Sequence, residues 1–373
     1  MTAASPRFRM TTRTRVSSWA TIGAAILTAG LAALPAVASR GLIQDLFFIF
    51  TMLCLAQYWN LLAGYAGLVS VGQQAFVGLG AYTLFAATIL AGIEPLTAAL
   101  LSGVVAAAMA VPTAFVVFRL RGAYFAIGTW VAAEVYRLVL AQVKELGGGT
   151  GTSLTMSVVS STAGLDWVSM AFGVRTPAAR DIVVYWAALA LLVITLAGIY
   201  WLLRSRFGLA LSSLRDSELT ASSIGVDAFR LKVFVYILTA AGGGAAGALI
   251  FLQSARISPD SAFAVLDWTA YVIFIVVIGG IGTIEGPIVG AVVFYFLQTY
   301  LAAFGTWYLM LLGALGIVIM LIAPKGIWGS IADRFDLHLF PTRRRLVVTS
   351  TRRTGDDRQR ARQSGPPSGQ MRR

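Results

Sequence analysis

From residue 19 to residue 323 the chain is a succession of apolar stretches, each roughly 20 residues long and separated by a few polar or glycine-rich residues. An α-helix rises about 1.5 Å per residue, so such a stretch matches the ~30 Å hydrocarbon core of a bilayer. Barrel strands would instead alternate apolar and polar residues over about 10 positions. In lipid every backbone N–H and C=O needs an internal partner, which a helix supplies within one segment. Apolar windows fall at 19–38, 43–63, 71–91, 96–118, 124–140, 181–203, 232–253, 266–282, 287–304 and 306–323. Composition agrees: 58% of residues are hydrophobic and 12% charged, against about 25% charged in a soluble domain. The expected fold is an all-α polytopic membrane protein of about ten transmembrane helices.

The net charge of +13 sits in the tails. Residues 1–15 carry Arg7, Arg9, Arg13 and Arg15 without an acid, and residues 341–373 carry ten arginines against Asp356 and Asp357. The remainder is nearly neutral, so no basic folded face for nucleic acid is expected. The sequence divides into a basic tail (1–18), a membrane domain (19–340) and an Arg-rich tail (341–373) whose composition reads as disordered. The positive-inside rule puts both tails, Arg119 and Arg121, residues 204–230 and Lys325 in the cytoplasm of a plasma or inner membrane. Segments 141–180 and 254–265 then face outward. The longer one, with Gly147–Gly151, reads as a flexible or partly helical loop. The first stretch resembles a signal peptide ending in Ala36-Val37-Ala38. Its length and the nine stretches that follow favour an uncleaved helix. Residues 63–72 read as a short break or a re-entrant segment.

Several chemistries are excluded. Cys54 and His338 are the only cysteine and histidine, which removes disulfides, His/Cys metal sites and His-based triads from the apolar region. No Gly-x-x-x-x-Gly-Lys-Ser/Thr loop precedes any of the three lysines, Lys144, Lys232 and Lys325. No catalytic residue, metal site or cofactor is expected on this chain.

Polar residues within the spans are the candidates for a solute path. Glu134 and Arg137 stand at i, i+3 and fit a structural ion pair or a path lining. Gln73 and Gln74 follow the glycine break and could bind solute. Gln57 and Asn60 suit helix-to-helix hydrogen bonding. Glu285 suits the start of a helix, and Asp260 and Asp267 lie near an outer face. The run Gly242–Gly247 suits close helix packing or a glycine-rich break lining the path. Gly279, Gly280 and Gly282 suit packing or a broken helix beside the path. In 204–230, Leu211, Leu214, Leu219 and Ala221 recur at near-helical spacing among Arg206, Gly208, Arg215, Asp216 and Glu218. Gly225 stands where a helix stop is expected. This predicts a short amphipathic helix over about 207–223, docked either in a partner's groove or on lipid headgroups.

That loop resembles the coupling loop of ATP-binding-cassette (ABC) importer permeases, specifically the branched-chain amino-acid permeases of the LivM/LivH type. Gly67–Tyr82 (Gly-Leu-Val-Ser-Val-Gly-Gln-Gln-Ala-Phe-Val-Gly-Leu-Gly-Ala-Tyr) is similar to the family's early glycine-rich segment. Arg119–Ile127 resembles its short cytoplasmic turn, and Ser258-Pro-Asp-Ser261 its outer loop. Val277–Ala291 (Val-Ile-Gly-Gly-Ile-Gly-Thr-Ile-Glu-Gly-Pro-Ile-Val-Gly-Ala) resembles its late glycine signature, and Pro324-Lys-Gly326 its closing turn. Each alone is weak, but five in order over 40–330 are specific, and the order is closer to the LivM half. The resemblance implies a LivH-like second permease, two ABC ATPase subunits that bind ATP and Mg, and an extracytoplasmic solute-binding protein. The family commonly has His where this chain has Gln73, which hydrogen-bonds but does not titrate near neutrality. Urea and short-amide permeases share the architecture, so the implied cargo is a branched-chain amino acid or a related small amino acid or amide. The competing class is an ion-coupled secondary transporter, which should bury carboxylates in its spans.

Overall fold

A computed structural model describes residues 7–11, 15–223, 225–301, 304–335 and 345–349. They form a helical bundle with two small two-stranded ribbons. The helices of the bundle are α1 (Arg15–Ala33), α2 (Arg40–Asn60, continued by a π turn, Leu61–Tyr65), α3 (Gln73–Ile89), α4 (Pro95–Val117) and α5 (Ala123–Leu140). Two short helices, α6 (Met156–Ser160) and α7 (Leu165–Phe172), precede the long α8 (Thr176–Arg204). Then come α9 (Arg206–Asp216), α10 (Glu218–Ser223), α11 (Ala228–Ser254), α12 (Pro259–Ala262), α13 (Tyr271–Gly279), α14 (Glu285–Leu301), α15 (Thr306–Ile322) and α16 (Gly326–Phe335).

Seven helical stretches among the described residues are long and apolar enough to cross a membrane: Arg40–Tyr65, Pro95–Val117, Ala123–Leu140, Thr176–Arg204, Ala228–Ser254, Pro259–Gly279 and Trp307–Ala332. The count of ten is not reached on length. Three expected spans fall on α1, α3 and α14; α3 and α14 have 17 residues each, a rise of about 26 Å. An apolar window counts residues whether or not the backbone is helical through them. In 71–91 the helix begins only at Gln73, after an irregular stretch.

The centre of the bundle is α11, packed against α2, α3, α4 and α8. Lipid provides no hydrophobic force between helices, so close backbone approach carries the association. A Cβ on Gly80 of α3 would lie 2.0 Å from the Gly244 carbonyl oxygen of α11, and one on Gly247 2.3 Å from that of Val77. The run Gly242–Gly247 is thus a packing surface. The helices of Pro95–Val117, Ala123–Leu140 and Trp307–Ala332 are peripheral, with Phe115, Val116, Tyr124, Leu321 and Ile322 exposed.

Arg119, Arg121, Arg204, Arg206, Lys232 and Lys325 lie at helix ends on one side of the bundle, here called the basic side. At the far side a buried carboxylate joins three helices. Asp181 of α8 accepts from Arg40 Nε of α2 at 2.5 Å, Gln44 Nε2 at 2.9 Å and Gln253 Nε2 of α11 at 3.0 Å. Residues 141–175 form a folded cap, pinned by β2 (Thr152–Ser153) pairing antiparallel with β3 (Arg256–Ile257). Glu94 ties α4 to this cap. Its carboxylate accepts from Leu96 N and Thr97 N, capping α4, and from Ala163 N at 2.8 Å. Near the termini β1 (Arg7–Thr11) pairs antiparallel with β4 (Arg345–Thr349). The rest of the Arg-rich tail lies outside the described residues.

Candidate coupling segment and translocation path

The expected single amphipathic helix is two helices, α9 and α10. Ser217 separates them because its backbone is extended and its hydroxyl accepts from Thr220 N at 3.3 Å, starting α10 afresh. Upstream, the Ser205 hydroxyl caps α9 by accepting from Phe207 N at 3.1 Å. The chain doubles back so tightly that a Cβ on Gly208 would sit 1.9 Å from the Leu203 carbonyl oxygen. Downstream, Gly225 has φ +85°. Gly225 N donates to Ser222 O and Val226 N to Ala221 O, the paired bonds of a Schellman stop.

Leu211, Leu214 and Ala221 are buried in their own chain, in a cluster with Leu61, Leu203, Leu231 and Val235. They anchor the segment and present no apolar face to a partner. Among the described residues of α9 and α10, Arg206, Phe207, Leu209, Ser212, Arg215, Glu218, Thr220, Ser222 and Ser223 are exposed. Glu218 pairs with Lys232 of α11 at 2.9 Å.

Arg215 brings two sets of candidates together. Its guanidinium donates to the Gly64 carbonyl at the end of the α2 π turn, at 3.2 Å. A Cβ on Gly282, whose φ is +79°, would lie 2.8 Å from the same guanidinium nitrogen. The loop between α13 and α14 is held from the other side by α2: Gly282 N donates to Asn60 Oδ1 at 2.7 Å, Asn60 Nδ2 to Thr283 O at 2.8 Å, and Gln57 Nε2 to Ile284 O at 2.7 Å. Gly280 rests against the Pro324–Gly326 turn, with Lys325 O 2.9 Å from where its Cβ would be. Gly279 lies against Gly286, where a Cβ would meet the carbonyl oxygen at 1.9 Å. Arg215, the α2 end and the glycine loop thus form one contact on the basic side.

The other path candidates are elsewhere. Gln73 and Gln74 open α3 inside the bundle, where the break lies between α2 and α5: Trp59 Nε1 of α2 donates to Ser70 O at 2.8 Å and Val71 N to Thr129 Oγ1 of α5 at 3.1 Å. The Thr269 hydroxyl donates to Gln74 Oε1 and accepts from Gln74 N at 3.2 Å. Gln73 is buried beside Gly243, and its Nε2 has no partner among the described residues. Glu134 and Arg137 pair as expected, but at the far side, where Arg137 also donates to Asp260 Oδ1 at 2.7 Å. With Glu134 42% and Asp260 84% exposed in their side chains, this network ties α5 to α12. The structure therefore does not gather Gln73, Glu134 and Gly282 into one site.

Residues 41–321, from α2 to near the end of α15, match the family described as branched-chain amino acid transport system / permease component. The chain belongs to this family. Among curated proteins it is 32% identical to the high-affinity branched-chain amino acid transport system permease protein LivM of Salmonella typhimurium, over 79% of this chain and 71% of that one. The LivM of Escherichia coli is 31% identical over the same shares. A probable LivH permease of Methanocaldococcus jannaschii is 30% identical over 37% of this chain and 45% of its own. No solved structure matches. Both glycine breaks, α9 and α10 of this permease lie inside the matched region.

Sequence reasoning missed Asp181. It stands at the edge of an apolar window, where an acid reads as solvated. Its partners Arg40, Gln44 and Gln253 are 141, 137 and 72 residues away. The only local signal was an acid starting a span whose first turn also holds Arg180.

Proposed function

We propose that this permease is the LivM-type half of an ABC importer's membrane channel, moving branched-chain amino acids or related small amino acids or amides inward. It works with a LivH-like second permease, two ATPase subunits that bind ATP and Mg, and an extracytoplasmic solute-binding protein. The basic side faces the cytoplasm. The excess of arginine there supports this orientation, and the β1–β4 pairing keeps residues 7–11 and 345–349 together.

The observation that carries the mechanism is the Arg215 contact. Closure of the ATPases pushes on the outward residues of α9 and α10. Because Leu211, Leu214 and Ala221 are sunk in the permease core, the segment moves as part of that core. Arg215 delivers the displacement to the α2 end and the glycine loop between α13 and α14. A short loop held by hydrogen bonds has few alternative arrangements, which suits a two-state gate. The chain itself supplies positioning, close packing and the moving loop; hydrolysis takes place on the partners.

The test is reconstitution of the complete importer in liposomes with radiolabelled leucine. Uptake should require the ATPase subunits, ATP and the binding protein together. Uptake by this chain alone, or driven by a proton or sodium gradient without ATP, overturns the reading.

A further inference from the structure

A cavity of about 1000 Å³ opens on the basic side. Three segments border it: the stretch 67–69 before α3, residues 118–126 from the α4–α5 turn into α5, and the first turns of α11. Its fourth side is α10, through Glu218 and Ser222. Leu68, Phe118, Phe125 and Phe229 make an apolar wall, and Arg121 and Lys232 are its cations.

The wall is continuous with an exposed apolar surface on α4. Phe229 lies 6.1 Å from Phe118 and 6.3 Å from Phe115. Phe115 and Val116 are 57% and 67% exposed on peripheral α4, so an amphiphile's chain can pass from bilayer to cavity without crossing polar ground. The charge is unbalanced: Lys232 is paired with Glu218, whereas Arg121 makes no ion pair among the described residues. Apolar walls ending at a cation, at the level where membrane helices end, match a lipid tail and an acidic headgroup. A free phosphate would find one unpaired cation and mostly hydrocarbon. A soluble peptide would have to displace lipid from the Phe115 side.

We propose that this cavity holds an anionic phospholipid, with its phosphate at Arg121 and an acyl chain along Phe118, Phe125 and Phe229. Such a lipid touches α10 through Glu218 and Ser222, so occupancy props the coupling segment. The membrane's acidic lipid content then sets how firmly ATPase motion reaches the glycine loop. The inference rests on the membrane reading above. It does not depend on orientation when both leaflets of the test bilayer have the same composition.

The experiment uses the full chain in two formats. In native mass spectrometry, detergent-solubilised protein is titrated with phosphatidylglycerol and with phosphatidylcholine. One basic residue near a headgroup gives about fivefold preference, so phosphatidylglycerol should bind about fivefold tighter, and Arg121→Gln should remove the difference. In nanodiscs, a Phe229→Trp variant should be quenched more by brominated phosphatidylglycerol than by brominated phosphatidylcholine, and adding Arg121→Gln should equalise the two. No headgroup preference, or one that survives Arg121→Gln, overturns the proposal. So does shielding of Phe229→Trp from both brominated lipids once the ATPase subunits are added, because the cavity is then a protein interface.

Discussion

Arg215 is a single side chain on which two functions meet. A guanidinium donates through a planar fork that an ammonium lacks. Arg215→Lys should therefore keep the charge and lose part of the contact with Gly64 and Gly282, and Arg215→Gln should lose most of it. The expected outcome is leucine uptake per ATP hydrolysed falling in the order wild type, Lys, Gln, with ATPase activity retained. Unchanged stoichiometry in both variants excludes a transmitting role. Asp181 belongs to another class of residue. Asp181→Ala removes three hydrogen bonds to a buried carboxylate but leaves Arg40 half-exposed, so it should cost about 1–3 kcal/mol and lower the denaturation temperature in detergent. A shift within error of wild type would show that Arg40, Gln44 and Gln253 find other partners at no cost.

At the scale of elements, the coupling segment should tolerate changes outward and resist them inward. Leu211→Ala removes buried methyl groups and should cost about 2–5 kcal/mol, whereas Ser212→Ala should leave the thermal midpoint unmoved. Gly225→Ala forces a side chain into a left-handed stop, at about 1–2 kcal/mol. It should raise protease sensitivity near residues 223–227 and lower coupled uptake, as Glu218→Gln should by freeing Lys232. Normal coupled uptake by both variants removes α10 from the coupling machinery. The far-side cap has a pH signature. Burial alone raises the Glu94 carboxyl pKa, but hydrogen bonds from Ala163, Leu96 and Thr97 outweigh it and hold the pKa below the usual carboxylate value. A depressed pKa means that its stabilisation is full above the unfolded-state value and fades as pH falls through the folded one. Amide exchange at 161–165 should therefore accelerate on acidification, and Glu94→Gln should flatten that dependence.

For the molecule as a whole, what was legible in the sequence was what depends on neighbours along the chain. The apolar runs, the helix stop at Gly225, the Glu134–Arg137 pair and the packing of Gly242–Gly247 are local patterns. What was not legible depends on which distant segment a side chain meets. The spacing of Leu211, Leu214 and Ala221 announces an apolar face but not what covers it, and the answer is this chain's own Leu61, Leu203 and Val235. Arg215 and Gly282 stand 67 positions apart with no shared pattern, and only folding makes them neighbours. Ten apolar windows stand against seven described helical stretches long enough to cross, because an apolar window does not register where a backbone stops being helical, as it does before Gln73.

Asp181 knots α2, α8 and α11 at one end, so α2 splaying away from the other two hinges there. The stretch Arg40–Tyr65 has 26 residues, about 39 Å of helix. A tilt of about 10° about the knot would carry its opposite tip through an arc of about 7 Å. The mouth on the far side would barely widen while the one on the basic side swings open, so in the proposed orientation a solute would find its entrance nearly fixed and its exit mobile.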